Sequence, residues 1–240
     1  MKLFPLRIQP DSKFLFGALA FTIICHGTAL LATVLFLLPG LPSGNGDVLH
    51  RATYISDHVV AWQLGWLPWQ VTALSDLILA IALVRTTWID RNSARASLAL
   101  TVVAILFEQP AEYRWVTKGV EFAQQAARTK NTAVYSAFES ITFHLTSYWA
   151  AFFYTLAAIA WSVCFARAGT WNRFLSILSV CLWGLLLVIS AGPLVFSAFP
   201  TKIVSTGNAI GFNLMMIWFA VVAYLVVARR KPIRTESGID

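Results

Sequence analysis

The chain has 240 residues, 58% of them hydrophobic and only 12% charged, with a formal net charge of +7 and a mean hydropathy of +0.68. Charged residues make up about a quarter of an ordinary soluble domain, so this composition excludes a soluble enzyme and predicts an all-α, polytopic membrane protein, one integral-membrane domain over residues 1–240. The 18 Lys and Arg cluster at the ends of apolar runs, where membrane topology uses them, so a lipid bilayer and not nucleic acid is the expected partner.

The first apolar run covers residues 14–38, follows Lys2, Arg7 and Lys13, and ends at the helix breakers of 39–44. It is too long for the apolar region of a signal peptide and lacks a small-residue cleavage site, so a retained helix is expected. The second covers 59–84 and stops at Arg85. The third is unusual: the uninterrupted apolar stretch 97–107 reaches only about 16 Å at 1.5 Å per residue. It crosses only by carrying Glu108, Gln109, Pro110, Ala111, Glu112, Tyr113, Arg114 and Trp115 in its outer half, giving a span of about 95–116. Between it and the next run, residues 118–133 mix charges with small residues and predict a helix lying over the bundle mouth. The remaining spans are 141–166, 174–199 and 209–228.

Six transmembrane helices in a compact bundle result. With the N-terminus inside, 12 of the 18 Lys and Arg fall on the cytoplasmic side: Lys2, Arg7, Lys13, Arg85, Arg91, Arg95, Arg167, Arg173, Arg229, Arg230, Lys231 and Arg234. Both termini are therefore expected in the cytoplasm, N-in and C-in, of a cell inner membrane.

Counting residues up from the cytoplasmic anchors gives depth. His26, Glu108 and Tyr154 fall about 20 Å up, Gln70 about 22 Å, Asn213 about 24 Å, Tyr148 about 28 Å and Asp76 about 13 Å. An acid in hydrocarbon is costly and normally faces a bundle interior, a partner or a cavity. Asp76 and Glu108 are thus the candidate catalytic or anchoring acids, with His26, Trp69, Gln70, Glu112, Tyr148, Tyr154 and Asn213 as candidate ligand-binding groups. Glu108, Glu112 and Trp115 share one face by their i, i+4, i+7 spacing. Pro110 removes a backbone donor and predicts a kink beside Glu108. The plainer reading keeps Glu108 as a packed acid held by a polar neighbour, and sets Glu112 and Arg114 at the outer interface.

Trp62, Trp69 and Asp76 recur at spacing seven, with Trp66 between them, so an aromatic stripe leads down to an acid. Indoles suit an apolar or cationic ligand, although Trp62 and Trp66 also lie at the height of an interfacial aromatic belt. Glu139 and His144 are five residues apart and fall on different faces. His50 and His58 lack a second histidine at ligand spacing, and only His26 is deep, so neither a metal site nor haem nor any other cofactor is expected. Cys25, Cys164 and Cys181 all lie in apolar runs and read as small core residues. No hydrolase, metalloprotease, P-loop or dinucleotide signature is present.

The run from Trp62 to Trp69 (Trp62-Gln63-Leu64-Gly65-Trp66-Leu67-Pro68-Trp69), residues 154–178 with the Arg167-Ala168-Gly169 turn and the Asn172-Arg173-Phe174 restart, and the run Gly207-Asn208-Ala209-Ile210-Gly211-Phe212 together resemble a set of six-helix bacterial inner-membrane proteins known only as domains of unknown function. The resemblance implies a compact six-helix bundle and carries over no activity or site residue.

The expected function is a membrane-embedded polar pocket in the outer half of the bilayer that takes a small amphiphilic or lipid-derived ligand, with acid catalysis on that ligand left open. A small proton-coupled transporter, with Asp76 and Glu108 as a relay, is the alternative. A non-catalytic subunit or assembly factor, packed against a membrane-protein partner, is the other.

Overall fold

In the computed structural model the described residues, 10–42, 46–196 and 201–228, are helical almost throughout and include no strand. Lys2, Arg7, the basic tail from Arg229 and part of the breaker series at 43–45 lie outside them, as does the side chain of Lys202.

After a short 3-10 turn at Pro10–Ser12, α1 spans Lys13–Ala32 and continues through a π-helical segment, Thr33–Leu37, to a 3-10 turn at Leu38–Gly40. Then come α2 (Val48–Asp57), α3 (Val59–Arg85), α4 (Arg91–Val116) and α5 (Lys118–Thr129). Helix α6 (Ala133–Phe143) runs through a π-helical segment, His144–Ala150, directly into α7 (Ala151–Arg167). Helix α8 is Arg173–Val195, and α9 is Thr201–Val221 with a π-helical end at Val222–Ala228.

Five continuous helices are long and apolar enough to cross a membrane: Lys13–Gly40, Val59–Arg85, Ala133–Arg167, Arg173–Val195 and Thr206–Ala228. Helix α4 is long enough but too polar to qualify, because it carries Arg91, Arg95, Glu108, Glu112 and Arg114. It packs between α3 and α7, and its buried face is lined with Ala94, Ser97, Thr101, Ala104 and Ala111. Small residues let helix backbones approach closely, which is how association is achieved where no hydrophobic effect operates between helices.

Local chemistry sets the ends. Asp90 caps α4, its Oδ2 accepting from the Ser93 N–H at 2.9 Å and the Ser93 hydroxyl at 2.6 Å. Arg167 at the end of α7 donates to the same oxygen at 3.0 Å, fastening two helix ends together. Asn172 caps α8 by accepting from the Leu175 N–H at 2.8 Å. At the far end of α4, the Trp62 indole and the Gln63 amide of α3 donate to the carbonyls of Trp115 and Val116 at 3.2 and 2.9 Å, taking up acceptors that a helix C-terminus leaves unpaired.

One core holds α1, α3, α7, α8 and α9 around Leu19, Leu83, Phe165, Leu182, Trp218 and Phe219. Another gathers Leu37, Ile55, Trp62, Trp66, Trp115, Ala123 and Tyr135 at the end of the bundle covered by α2, α5 and α6. Helix α5 is the expected surface helix, with Val120, Ala123 and Ala126 turned inward.

Five expectations need correction. Helix α2 lies between the first two apolar runs, where no helix was expected. The span predicted to begin at 141 starts at Ala133, and the last apolar span begins at Thr206 instead of 209, within a helix that starts at Thr201. Trp62 and Trp66 are buried against Trp115 instead of forming an exposed interfacial belt, since the capping helices cover them. Cys25 and Cys164 are buried, but Cys181 is exposed, because α8 turns that face away from its neighbours.

Candidate functional site

Helix α4 runs unbroken through Pro110 and brings Glu108 to the seam with α7. There the Tyr154 hydroxyl donates to Glu108 Oε2 at 2.5 Å. Glu112, one turn on, is 2% exposed and accepts from the Gln109 amide at 3.2 Å. Glu112 is thus enclosed by protein instead of facing outward as the plainer reading had it: the tryptophan core and α5 close over that face of α4, while Tyr113 and Arg114 are exposed. Glu112 follows Glu108 by one turn of α4, and Asp76 lies on the neighbouring α3, which packs against α4. Among the described residues, none of the three forms an ion pair with a lysine or arginine.

Asp76 is 7% exposed. Its Oδ2 faces His26 Nε2 of α1 at 3.6 Å, while Oδ1 is buried with no hydrogen-bond partner in the protein. His26 Nδ1 lies 3.0 Å from the Thr22 carbonyl. A carbonyl only accepts, so Nδ1 carries a proton and donates it. The Nε2 atom then shares the approach to Asp76, and one proton between them belongs to the imidazole or to the carboxyl. Phe212 of α9 packs on the His26 ring at 5.4 Å and on Trp69 at 5.1 Å.

Beside the Glu108–Tyr154 pair lies an aromatic stack that sequence reasoning missed. Phe107 stacks on Trp149 and on Phe153 with centroids 5.8 and 5.7 Å apart and interplanar angles of 18° and 4°. Trp149 is exposed and Glu108 and Tyr154 are half-buried, so this seam, unlike the rest of the acid cluster, reaches the outer surface of the bundle. The available signal was adjacency: Phe107 precedes Glu108 and Phe153 precedes Tyr154. The π-helical turn at His144–Ala150, just before Phe153, shifts the helical register and helps place Trp149.

The structure therefore pairs Glu108 with Tyr154, Glu112 with Gln109 and Asp76 with His26, with Trp69 joined to His26 through Phe212. Trp69 is no open wall, since its indole donates to the Thr33 hydroxyl at 2.8 Å. Gln70 is half-buried and makes no hydrogen bond to the acids among those described. Tyr148 packs on Phe143 and His144, in a separate cluster with Ile189 and Val204. Asn213 is exposed and its amide donates to its own helix at the Ala209 carbonyl, 2.8 Å away, so its side chain turns away from the acids. A cavity of about 140 Å³ lies between α5 and α6, lined by Phe122, Gln125, Thr129, Asn131 and Tyr135, well separated in sequence from the acids.

A buried ion pair was also missed. Arg51 of α2 holds Glu139 of α6 through both its Nε, at 2.8 Å from Oε1, and its terminal nitrogen on Oε2, with the Tyr135 hydroxyl donating to Oε1 at 3.3 Å. Burial works against the Arg51 charge, but the hydrogen bond and charge of Glu139 outweigh it and hold the guanidinium above its ordinary range.

Comparison of the chain with protein-family models, curated proteins and solved structures finds no match. The site's chemistry therefore rests on its own geometry.

Proposed function

We propose that the chain is a six-span inner-membrane protein, with α4 as the sixth crossing and both termini cytoplasmic, whose acid cluster binds a small amphiphile bearing a cationic head. The observation that carries this reading is the Glu108–Tyr154 pair at the α4–α7 seam: an acid without a lysine or arginine partner, flanked by the aromatic stack of Phe107, Trp149 and Phe153. A cationic head group supplies the charge that Glu108 and Asp76 lack. The stack supplies π faces for the cation and apolar area for the chain beyond it, and the seam is open sideways to lipid, where an amphiphile already resides.

Acid catalysis on the ligand is a second use of this site: a protonated Glu108 can pass its proton to a bound substrate, with the Tyr154 hydroxyl donating to the carboxylate left behind. The transporter reading draws support from the His26–Asp76 pair, which offers a second proton-accepting group in the same cluster. The test is to purify the protein in lipid nanodiscs and identify co-purifying amphiphiles by mass spectrometry. An amine-bearing amphiphile enriched with the unmodified protein and absent from Glu108→Gln is the expected result. Identical lipid profiles for the two proteins would contradict it.

A further inference from the structure

Hydroxyls inside this bundle follow one habit. Thr28, Thr33, Thr86, Thr142, Thr155, Ser162 and Ser190 each donate to the carbonyl four residues earlier, at 2.7 to 3.1 Å. That is the usual way for a Ser or Thr in an apolar helix to satisfy its donor. Ser97 and Thr101 break the habit: both are fully buried, and neither hydroxyl has a hydrogen-bond partner in the protein. Asp76 Oδ1 is in the same condition.

Their placement is ordered. From Arg91, Ser97 lies about 9 Å along α4, Thr101 about 15 Å and Glu108 about 25 Å. Counted from Arg85 on the antiparallel α3, Asp76 lies about 13 Å up, level with Thr101. All three α4 positions belong to the face packed between α3 and α7. Above them the rings of Trp62, Trp66 and Trp115 pack edge to face and in parallel, at 5.7 to 5.9 Å, and cover the opposite end with aromatic surface; one polar atom there, the Trp66 indole N–H, is also buried without a partner in the protein, as is that of Trp161. Leaving a buried polar group unpaired costs about 1–3 kcal/mol, and buried water, where there is room for it, bonds to such otherwise unsatisfied groups.

We propose that Ser97 and Thr101 hold a chain of bound water that connects the carboxyls of Asp76 and Glu108 to the Arg91 end of α4. Each hydroxyl donates to one water and accepts from another, and Asp76 Oδ1 accepts from the water at the level of Thr101. The cluster of Asp76, Glu108, Glu112, His26 and Tyr154 then exchanges protons with one side of the membrane only, the side at which α4 begins. This goes beyond the amphiphile reading, because it holds whatever occupies the seam.

Water-edited solid-state NMR of the full chain in lipid bilayers tests it. Thr22 is the control, since it is equally buried but its hydroxyl already donates to the Ser75 carbonyl at 3.3 Å. Polarisation from water is expected to reach the Cβ atoms of Ser97 and Thr101 several-fold faster than those of Thr22 and Ala104. In Thr101→Val, which keeps the shape and removes the hydroxyl, transfer to the Asp76 carboxyl carbon is expected to slow several-fold. Equal build-up at Thr101, Thr22 and Ala104, or an Asp76 signal unchanged by Thr101→Val, overturns the proposal. A wet Thr101 in a protein that binds no cationic amphiphile would leave the water path standing and sink the ligand reading alone.

Discussion

Arg51 and Glu139 show what an ion pair does once both partners leave water. Each is 5% exposed or less, and the bidentate geometry with Tyr135 satisfies most of the hydrogen-bonding capacity of the carboxylate. Two isolated charges so buried would be costly, so removing one strands the other. Arg51→Ala is expected to destabilise the protein by about 3–5 kcal/mol, whereas Arg51→Met combined with Glu139→Leu recovers most of that loss. Thermal unfolding in detergent measures both; a single variant no less stable than the double would contradict the assignment. The acids of the central cluster differ from this pair, because no arginine answers them. Their partners are Tyr154, Gln109 and His26, so the proposed cationic ligand would supply a charge that Glu139 already has from Arg51.

At the scale of elements, α4 is the helix most dependent on its ends. Its N-terminus rests on Asp90, whose carboxyl is held below the usual carboxylate range by the Ser93 hydroxyl and N–H, with Arg167 adding to the effect. A carboxylate here also meets the positive end of the helix dipole. Because the folded pKa is depressed, the stabilisation is fully present above the unfolded value near 3.9 and is lost as pH falls through the folded one. Melting temperature should therefore decline below about pH 4. Asp90→Asn, which still caps the helix but cannot ionise, should show a lower plateau at neutral pH and a shallower acid decline. Parallel pH profiles for the two proteins would remove Asp90 from the account. Helix α3 is tuned differently: Gly65 sits where an added Cβ would lie 2.6 Å from the Leu37 side chain and 3.0 Å from Phe36 Cβ. Gly65→Ala should cost about 1–3 kcal/mol through overpacking, read as a lowered melting temperature, and a neutral result would mean that the α1–α3 contact is looser than described.

Across the whole molecule, run length was the legible part. Five apolar helices follow from composition alone because spanning hydrocarbon demands about 20 apolar residues and little else. Counting depth also singled out His26, Asp76, Glu108 and Tyr154, and the structure pairs Glu108 with Tyr154 and Asp76 with His26. Height without rotation misplaced Asn213, and a hydrophobicity argument could not find α2, in which His50, Arg51 and Asp57 interrupt the apolar positions. Its cap at Asp47, accepting from the Leu49 N–H, was the available signal. Arg51 and Glu139 are 88 residues apart, and nothing local announces a pair at that distance. The charge distribution still makes a topological prediction: reporters fused at residue 240 and inserted within 43–50 should read opposite sides of the membrane, with residue 240 cytoplasmic. Reporters on the same side would break the six-span arrangement.

The central claim is that Glu108 anchors a cationic head at the α4–α7 seam. Its most direct test is the titration of dodecyltrimethylammonium into nanodisc-embedded protein, followed by calorimetry and compared with a dodecyl chain carrying an uncharged head. Saturable binding of the cationic compound, weakened at least about tenfold in Glu108→Gln, which corresponds to about 1.4 kcal/mol, is the predicted result, with the uncharged compound indifferent to the substitution. Equal affinity of the two proteins for the cationic compound would contradict the claim and return Glu108 to a packing role beside Tyr154.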